Sequence, residues 1–333
     1  MEQTEIKKEP NNHLIVNDAT SVAPSPEKHE ATHIFPQTNI TPSCGAPGKS
    51  GCRGTNSMLT GSGATAYPSV YALGRIMARF PSLGIEKEFA QATGRAGKET
   101  VGLTNQKAFH SILSNPENRY LIRKLCWVFT IEGVDTYIVL PSDPADFNAL
   151  LEAIRPVPSP MDIDVIVGMR GPIAPPEMCN GLVVPIVVFD QIYSFDRAKF
   201  MEALKEKRPK EKRSEHISEE EFTSAADELL DRIMQMADNA GTTDEHRALN
   251  YLSVRYDAIY AKTAEMHGRN FSLTAVDVHL SNLSSVRKIV DVIFSYIQRE
   301  TDFTEKFFVR VDVTEEFPFL VTKLSPYYDR FGK

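Results

Sequence analysis

The chain has 333 residues, 42% hydrophobic and 24% charged, with a formal charge of −7. That length holds one large domain or two ordinary ones, and that composition is globular. The negative balance argues against a nucleic-acid binder, which needs clustered Lys and Arg on phosphate, and the most apolar run, 181–189, is too short to span a bilayer and is broken by Pro185. The start of the chain is charged or polar and has no signal-peptide character, so a cytoplasmic location with no membrane partner is expected.

Residues 1–40 are rich in Pro, Ser, Thr and Asn, and Phe35 is the one aromatic before Tyr67. Such a segment buries too little apolar surface to offset its ordering entropy, so a disordered tail is expected there. A Gly/Cys-rich lead-in follows over 41–66. A first α+β domain is expected over 67–204. It opens with an apolar stretch through Tyr71, Ile76 and Phe80, read as helical, that stops at Pro81. Short helices are predicted over 83–92 and 104–113. The β-branched and aromatic runs 125–131 and 134–140 meet at Glu132-Gly133, a hairpin signal. Asp143-Pro144 supplies an N-cap and a first-turn proline for a helix over 145–154. Strands are predicted over 163–167 and 182–189, and Asp196 caps a further helix.

The segment 205–217 alternates in charge with almost no apolar residues and reads as a linker. A second α+β domain is expected over 218–330. Ser218 with Glu221 forms a capping box, and Thr242 with Glu245 a second one after Gly241. Apolar stripes at Ala226, Leu230, Ile233 and Ala237, then at Leu249, Leu252, Tyr256 and Ile259, predict a helical hairpin. Beyond Arg269 the period becomes two over 271–280, 286–297, 307–313 and 317–324. An antiparallel sheet packed on the helical hairpin follows, making the chain α+β throughout.

No catalytic motif is complete. His29-Glu30-Ala31-Thr32-His33 has the zinc-protease spacing, but it lies between Pro26 and Pro36 with no apolar stripe to dock a helix. Gly48-Lys49-Ser50 lacks the earlier glycine and the strand of a phosphate loop, and Gly61, Gly63 and Ala66 have no preceding strand either. Neither a nucleophile elbow nor a subtilisin-like triad is present, and His110, His246, His267 and His279 are scattered. The chain therefore reads as leaning away from an enzyme.

The four cysteines leave two readings open. Structural disulfides are not expected in a reducing compartment. Cys44, Cys52, Cys126 and Cys179 therefore either close a structural zinc site or remain ordinary thiols. A Pro- and Gly-rich loop between two predicted strands carries Arg170, Glu177 and Asn180, a candidate binding loop or a rigid connector.

Several strings then converge. They are Tyr71-Ala72-Leu73-Gly74 with Ala78-Arg79-Phe80-Pro81-Ser82-Leu83, and Glu86-Lys87-Glu88-Phe89-Ala90-Gln91-Ala92-Thr93-Gly94-Arg95. Gly171-Pro172-Ile173-Ala174-Pro175-Pro176-Glu177-Met178-Cys179-Asn180-Gly181 is a third, followed by Val188-Phe189-Asp190-Gln191-Ile192-Tyr193-Ser194-Phe195-Asp196 and Asp244-Glu245-His246-Arg247-Ala248-Leu249-Asn250-Tyr251-Leu252. From Tyr67 to Arg330 the chain resembles the C-terminal domain of the PatA/PatG family of cyanobactin maturation proteins. In that family the domain usually follows a subtilisin-like protease that cuts a ribosomal precursor peptide. That protease is missing from this sequence, so peptidase activity is not carried over. The resemblance implies an accessory, non-catalytic module that binds a precursor peptide, a biosynthetic protease or a modifying enzyme, and it favours zinc at the cysteines. An unrecognised peptide-modifying enzyme and a scaffolding homodimer are the alternatives. The antiparallel sheet of the second domain makes edge-strand capture of an extended peptide the expected binding mode.

Overall fold

The computed structural model describes residues 68–95, 105–157, 159, 161–207, 218–236 and 238–328. All of them belong to one compact unit spanning Ser62–Lys333. The tail 1–40 and the lead-in 41–66, with Cys44 and Cys52, lie outside the described residues, as does 208–217 of the expected linker.

The first sheet closes on itself. Its strands are β1 (Ser69–Arg79), β2 (Cys126–Ile131), β3 (Val134–Pro141), β4 (Asp162–Ile173) and β5 (Pro185–Asp196), in the spatial order β1-β2-β3-β5-β4. All neighbours run antiparallel except the pair β3 and β5. Between β1 and β2 lie α1 (Leu83–Arg95), α2 (Asn105–Leu113) and a 3-10 turn, Pro116–Arg123. Between β3 and β4, the Asp143 carboxylate accepts from the Ala145 amide and starts the turn that leads into α3 (Phe147–Ala153). This connectivity, with a helix between the third and fourth strands, is that of an OB-type barrel. The hairpin at Glu132-Gly133 forms as predicted, both residues having positive φ, +50° and +80°, which suits the twist of a two-residue turn.

After β5 come α4 (Arg197–Lys207), α5 (Glu219–Met234), α6 (Asp244–Arg255) and α7 (Ala258–Gly268). The strands β6 (Phe271–Leu280), β7 (Ile289–Gln298), β8 (Thr304–Asp312) and β9 (Phe319–Pro326) then form an antiparallel sheet in sequence order. Ser218 and Glu221 make the reciprocal capping box at α5. The second cap lies one residue later than expected, because the Thr243 hydroxyl accepts from the His246 amide. The stripe Leu249, Leu252, Tyr256, Ile259 is also interrupted. The backbone breaks at Tyr256, and the helical pair becomes three helices in which α5 packs chiefly on α7.

The stretch read as helical at Tyr71, Ile76 and Phe80 is instead strand β1. Val70, Ala72 and Ile76 face the barrel interior with Trp127, Phe129, Val139 and Phe189. Tyr71 and Leu73 face outward into a second cluster with Val165, Val167, Leu229, Leu249, Val292 and Val309. A strand buried on both faces shows no alternation, so its periodicity cannot separate it from a buried helix. That outer cluster also joins residues from either side of 205–217, so the two expected domains share one core rather than enclosing separate ones.

The join is hydrogen-bonded as well as apolar. The Tyr71 amide donates to the Gly241 carbonyl at 2.9 Å, and Asn250 Nδ2 donates to the Tyr71 carbonyl at 2.8 Å. Asn250 and Asn239 also bond each other through their side chains, and the Tyr137 hydroxyl donates to the Ala240 carbonyl at 2.7 Å. Gly241 has φ +72°, and a Cβ there would stand 2.4 Å from the Tyr71 carbonyl oxygen. Gly241→Ala is therefore expected to lower unfolding stability by roughly 3 kcal/mol. Urea denaturation checks this: the midpoint should fall with an unchanged slope.

Candidate functional site

Strand β1 changes partner along its length. Ser69 to Gly74 pair with β4, and Arg75 to Arg79 pair with β2. Where β4 leaves, the edge of β1 that it served becomes free to other groups. The Ile76 amide on that edge donates to Asp164 Oδ2 at 2.6 Å, and Gln106 Nε2 approaches the Ile76 carbonyl at 3.5 Å. Backbone groups alternate along a strand, so the next pair on this edge belongs to Ala78.

Ala78 lies in a groove of about 1370 Å³. Its floor is the end of β1, Met77 to Arg79, with Phe80 just beyond it. One wall is the exposed side of α1 with Leu83, Glu86 and Ala90, continued by Gln106 and Phe109 of α2. The rings of Phe80, Phe89 and Phe109 lie 4.8–5.3 Å apart and form an aromatic base under this wall. The opposite wall is Cys179, Asn180, Gly181 and Leu182. Leu83 is 63% exposed and Met77 41%, so the lining offers apolar surface to an incoming chain. Among the described residues its charges are Glu86, and Arg79, whose guanidinium is held in a two-bond fork by Asp135 at 2.6 and 2.7 Å.

The second wall is built by the β4–β5 connection. Residues 174–184 fold back as a strap across the outside of β2, β3 and β5. Its base is tied by the Ala174 amide donating to the Val184 carbonyl, and its turn by the Gly181 amide donating to Pro176. Asn180 turns the chain with φ +47°, a conformation asparagine tolerates better than most residues. Beneath the strap, Ala174, Cys179, Met178 and Leu182 cover Val128, Ile138 and Ile186. Cys179 is bonded to Cys126 in a disulfide, with Cα atoms 5.6 Å apart.

The structure thus distributes the predicted site residues unevenly. Cys126 and Cys179 meet, but as a cross-link, and disulfide sulfurs carry no thiolate charge for zinc. This departs from the expectation that disulfides would be absent. Among the described residues no group of three or more His, Cys, Asp or Glu could hold a metal ion. Asn180 lines the groove, whereas Glu177 sits exposed on the strap's 3-10 turn, Pro176–Met178. Arg170 stands in β4, its amide donating to Pro68 and its charge favouring ionisation of Tyr137, whose hydroxyl burial nonetheless pushes up to about 12. The helical wall and the three phenylalanines were not anticipated as a site, since residues 80, 89 and 109 share no periodicity and only the fold gathers them.

Among the described residues no helix is long and apolar enough to cross a membrane. A second hollow, between α4 and α5, is lined by Glu219, Glu220, Asp227, Glu228 and Asp231. Arg197 bridges Asp227 and Asp231 there, which accounts for part of that charge as packing of α4 on α5.

Asp164 holds the β1 edge beside the groove. It is buried, accepts from the Ile76 amide and the Ser194 hydroxyl, and burial pushes its carboxyl from 3.8 up to about 6 against those two bonds. Between about pH 4 and pH 6 the folded protein keeps a proton that the unfolded chain has released. Stability should therefore fall as pH rises through that window, by roughly 3 kcal/mol from this group. Glu316, which burial and then Asp190 raise to about 7, contributes a slope of the same sign that continues to higher pH. Asp164→Asn is expected to remove only the lower part of that slope, read as the difference between wild-type and variant urea midpoints from pH 4 to 6.

Two likenesses to known proteins bear on the fold. Residues 216–327, from the start of α5 through β9, match the family model described as PatG C-terminal. A solved structure described as "PatG Domain of Unknown Function" is similar over 78% of this chain and 99% of its own, with 19% identity and a TM-score of 0.64. That share is too large to stop at the second sheet, and at that identity it shows a common fold. No curated protein matches the chain. The chain carries a PatG C-terminal-like domain.

Proposed function

We propose that this chain is a non-catalytic accessory module of cyanobactin-like peptide maturation, which holds an extended segment of a precursor peptide in the β1 groove. One observation carries the reading. A strand edge, left by β4 and next presented at Ala78, opens into a groove lined by aromatic and aliphatic side chains. An extended peptide can add to such an edge through its backbone while alternate side chains enter the lining, which combines affinity with tolerance of sequence. The volume exceeds the ~300–1,000 Å³ of ordinary small-molecule sites and suits a chain segment. The two nearly neutral walls suit an apolar peptide rather than a charged one. The PatG C-terminal-like domain supplies the link to peptide maturation. Among the described residues, the histidines of α2, α6, α7 and β6 stand on separate elements and none lines the groove.

The test uses a fluorescein-labelled octapeptide alternating Leu or Phe with Ser, titrated with the protein and read by fluorescence anisotropy. Saturable binding is expected, weakened about ten-fold or more by Leu83→Glu, which places a charge on the apolar wall. The same octapeptide N-methylated at alternate residues cannot donate to the strand edge and should lose binding to a similar extent. Equal affinity for the methylated and unmethylated peptides would eliminate strand addition. No binding to either would sink the groove reading.

A further inference from the structure

We propose that the Cys126–Cys179 disulfide is a reducible latch that sets the affinity of the β1 groove for its peptide. This rests on the peptide-docking reading of that groove. The latch joins two parts with different anchorage. Cys126 begins β2 and pairs in register with Arg79 at the end of β1, the groove floor. Cys179 sits on the strap and lines the groove itself, next to Asn180, Gly181 and Leu182. The disulfide therefore fixes the distance between floor and wall. Among the described residues, what holds the strap besides the disulfide is its base, its internal turns and a small apolar cluster. That cluster is separate from the two large cores, and three of its strap members, Met178, Leu182 and Val184, are only partly buried. Local stability follows the amount of buried apolar contact, so this segment is the part of the barrel readiest to open once the cross-link is gone.

The chemistry is ordinary thiol–disulfide exchange. A thiolate of a dithiol reductant attacks one sulfur, the other leaves as a cysteine thiolate, and the reductant's second thiol resolves the mixed disulfide. Two electrons and two protons pass to the protein, giving two cysteine thiols and one oxidised dithiol. Both cysteines are buried, at 4% and 3% exposure, so attack has to come from the groove side of Cys179 or wait for the strap to open. A peptide lying in the groove blocks the first route and opposes the second. Linkage makes the effect reciprocal: whatever factor the closed latch adds to peptide affinity, bound peptide adds to the resistance of the disulfide to reduction.

The experiment uses the full chain with Cys44→Ser and Cys52→Ser, so that no other thiol can exchange with the pair. Oxidised protein, the same protein after dithiothreitol, and a Cys126→Ser/Cys179→Ser variant are compared in two readouts. Hydrogen exchange of 174–184 reports the strap without any ligand, and anisotropy of the fluorescein-labelled Leu/Phe-Ser octapeptide reports the groove. The expected result is faster strap exchange in the reduced protein, unchanged exchange in β7, and peptide affinity about ten-fold lower. Saturating octapeptide should also slow reduction by dithiothreitol. Where the double variant fails to fold, the wild-type pair before and after reduction carries the comparison. A strap that loosens while peptide affinity stays equal overturns the latch, as does a strap that stays protected after reduction. An oxidised protein that binds no octapeptide defeats the docking reading and the latch with it, and the exchange data then still separate a released strap from a rigid one.

Discussion

Everything in this fold leans on the backbone of Tyr71. On one edge it stands opposite Val167 of β4, a register partner whose ladder bonds are made by its neighbours in the strand. On the other its amide and carbonyl are met by the Gly241 carbonyl and the Asn250 side chain. A buried, unpaired peptide group would cost on the order of a few kcal/mol, so this docking is obligatory for a strand exposed on that side. The side chain adds to the join, since its hydroxyl bonds to Tyr193 and the Arg255 guanidinium lies 4.5 Å over the Tyr193 ring. Burial raises both tyrosines above their ordinary range, which keeps them neutral partners rather than charges in the seam. Barrel and second sheet are thus two halves of one core.

The same strand explains why the groove is where it is. A closed barrel hides its edges, and the second sheet keeps only β6 and β9 at its margins. No single partner pairs with the whole of β1: β4 serves its first half and β2 its second. Asp164 and Gln106 satisfy Ile76 at the changeover, and the next position opens between the strap and α1. In an OB-type barrel the outer face of β2 and β3 is a common ligand surface. Here the strap covers that face with Ala174, Met178, Cys179 and Leu182, which moves the available surface to the strap's rim.

Local chemistry wrote part of this plainly into the sequence. The alternation of 271–280 and its successors gave the second sheet, the Ser218/Glu221 spacing gave the start of α5, and Glu132-Gly133 gave the β2–β3 turn. Each of these signals is complete within about ten residues. Strand β1 was hidden because burial on both faces erases the period of two. Closure of the barrel and the shared core were hidden because they depend on pairs such as Tyr71 with Val167 and Tyr71 with Gly241, far apart in sequence. The site divided in the same way. Its Asn180 wall lay in a loop marked by its prolines and glycines, whereas the Phe80, Phe89 and Phe109 base needed tertiary structure to assemble.

The order of the second sheet has a kinetic consequence. Strands β6 to β9 lie side by side in the order they occur, joined by short connections, so each can pair with its predecessor at small loop-closure entropy. The barrel is different: β1 must find β4 some ninety residues on, and its other edge must wait for Gly241 and Asn250. During synthesis β1 leaves the ribosome long before those partners exist. The early strand therefore spends its first seconds as an exposed, doubly apolar segment, and the late helices complete its burial.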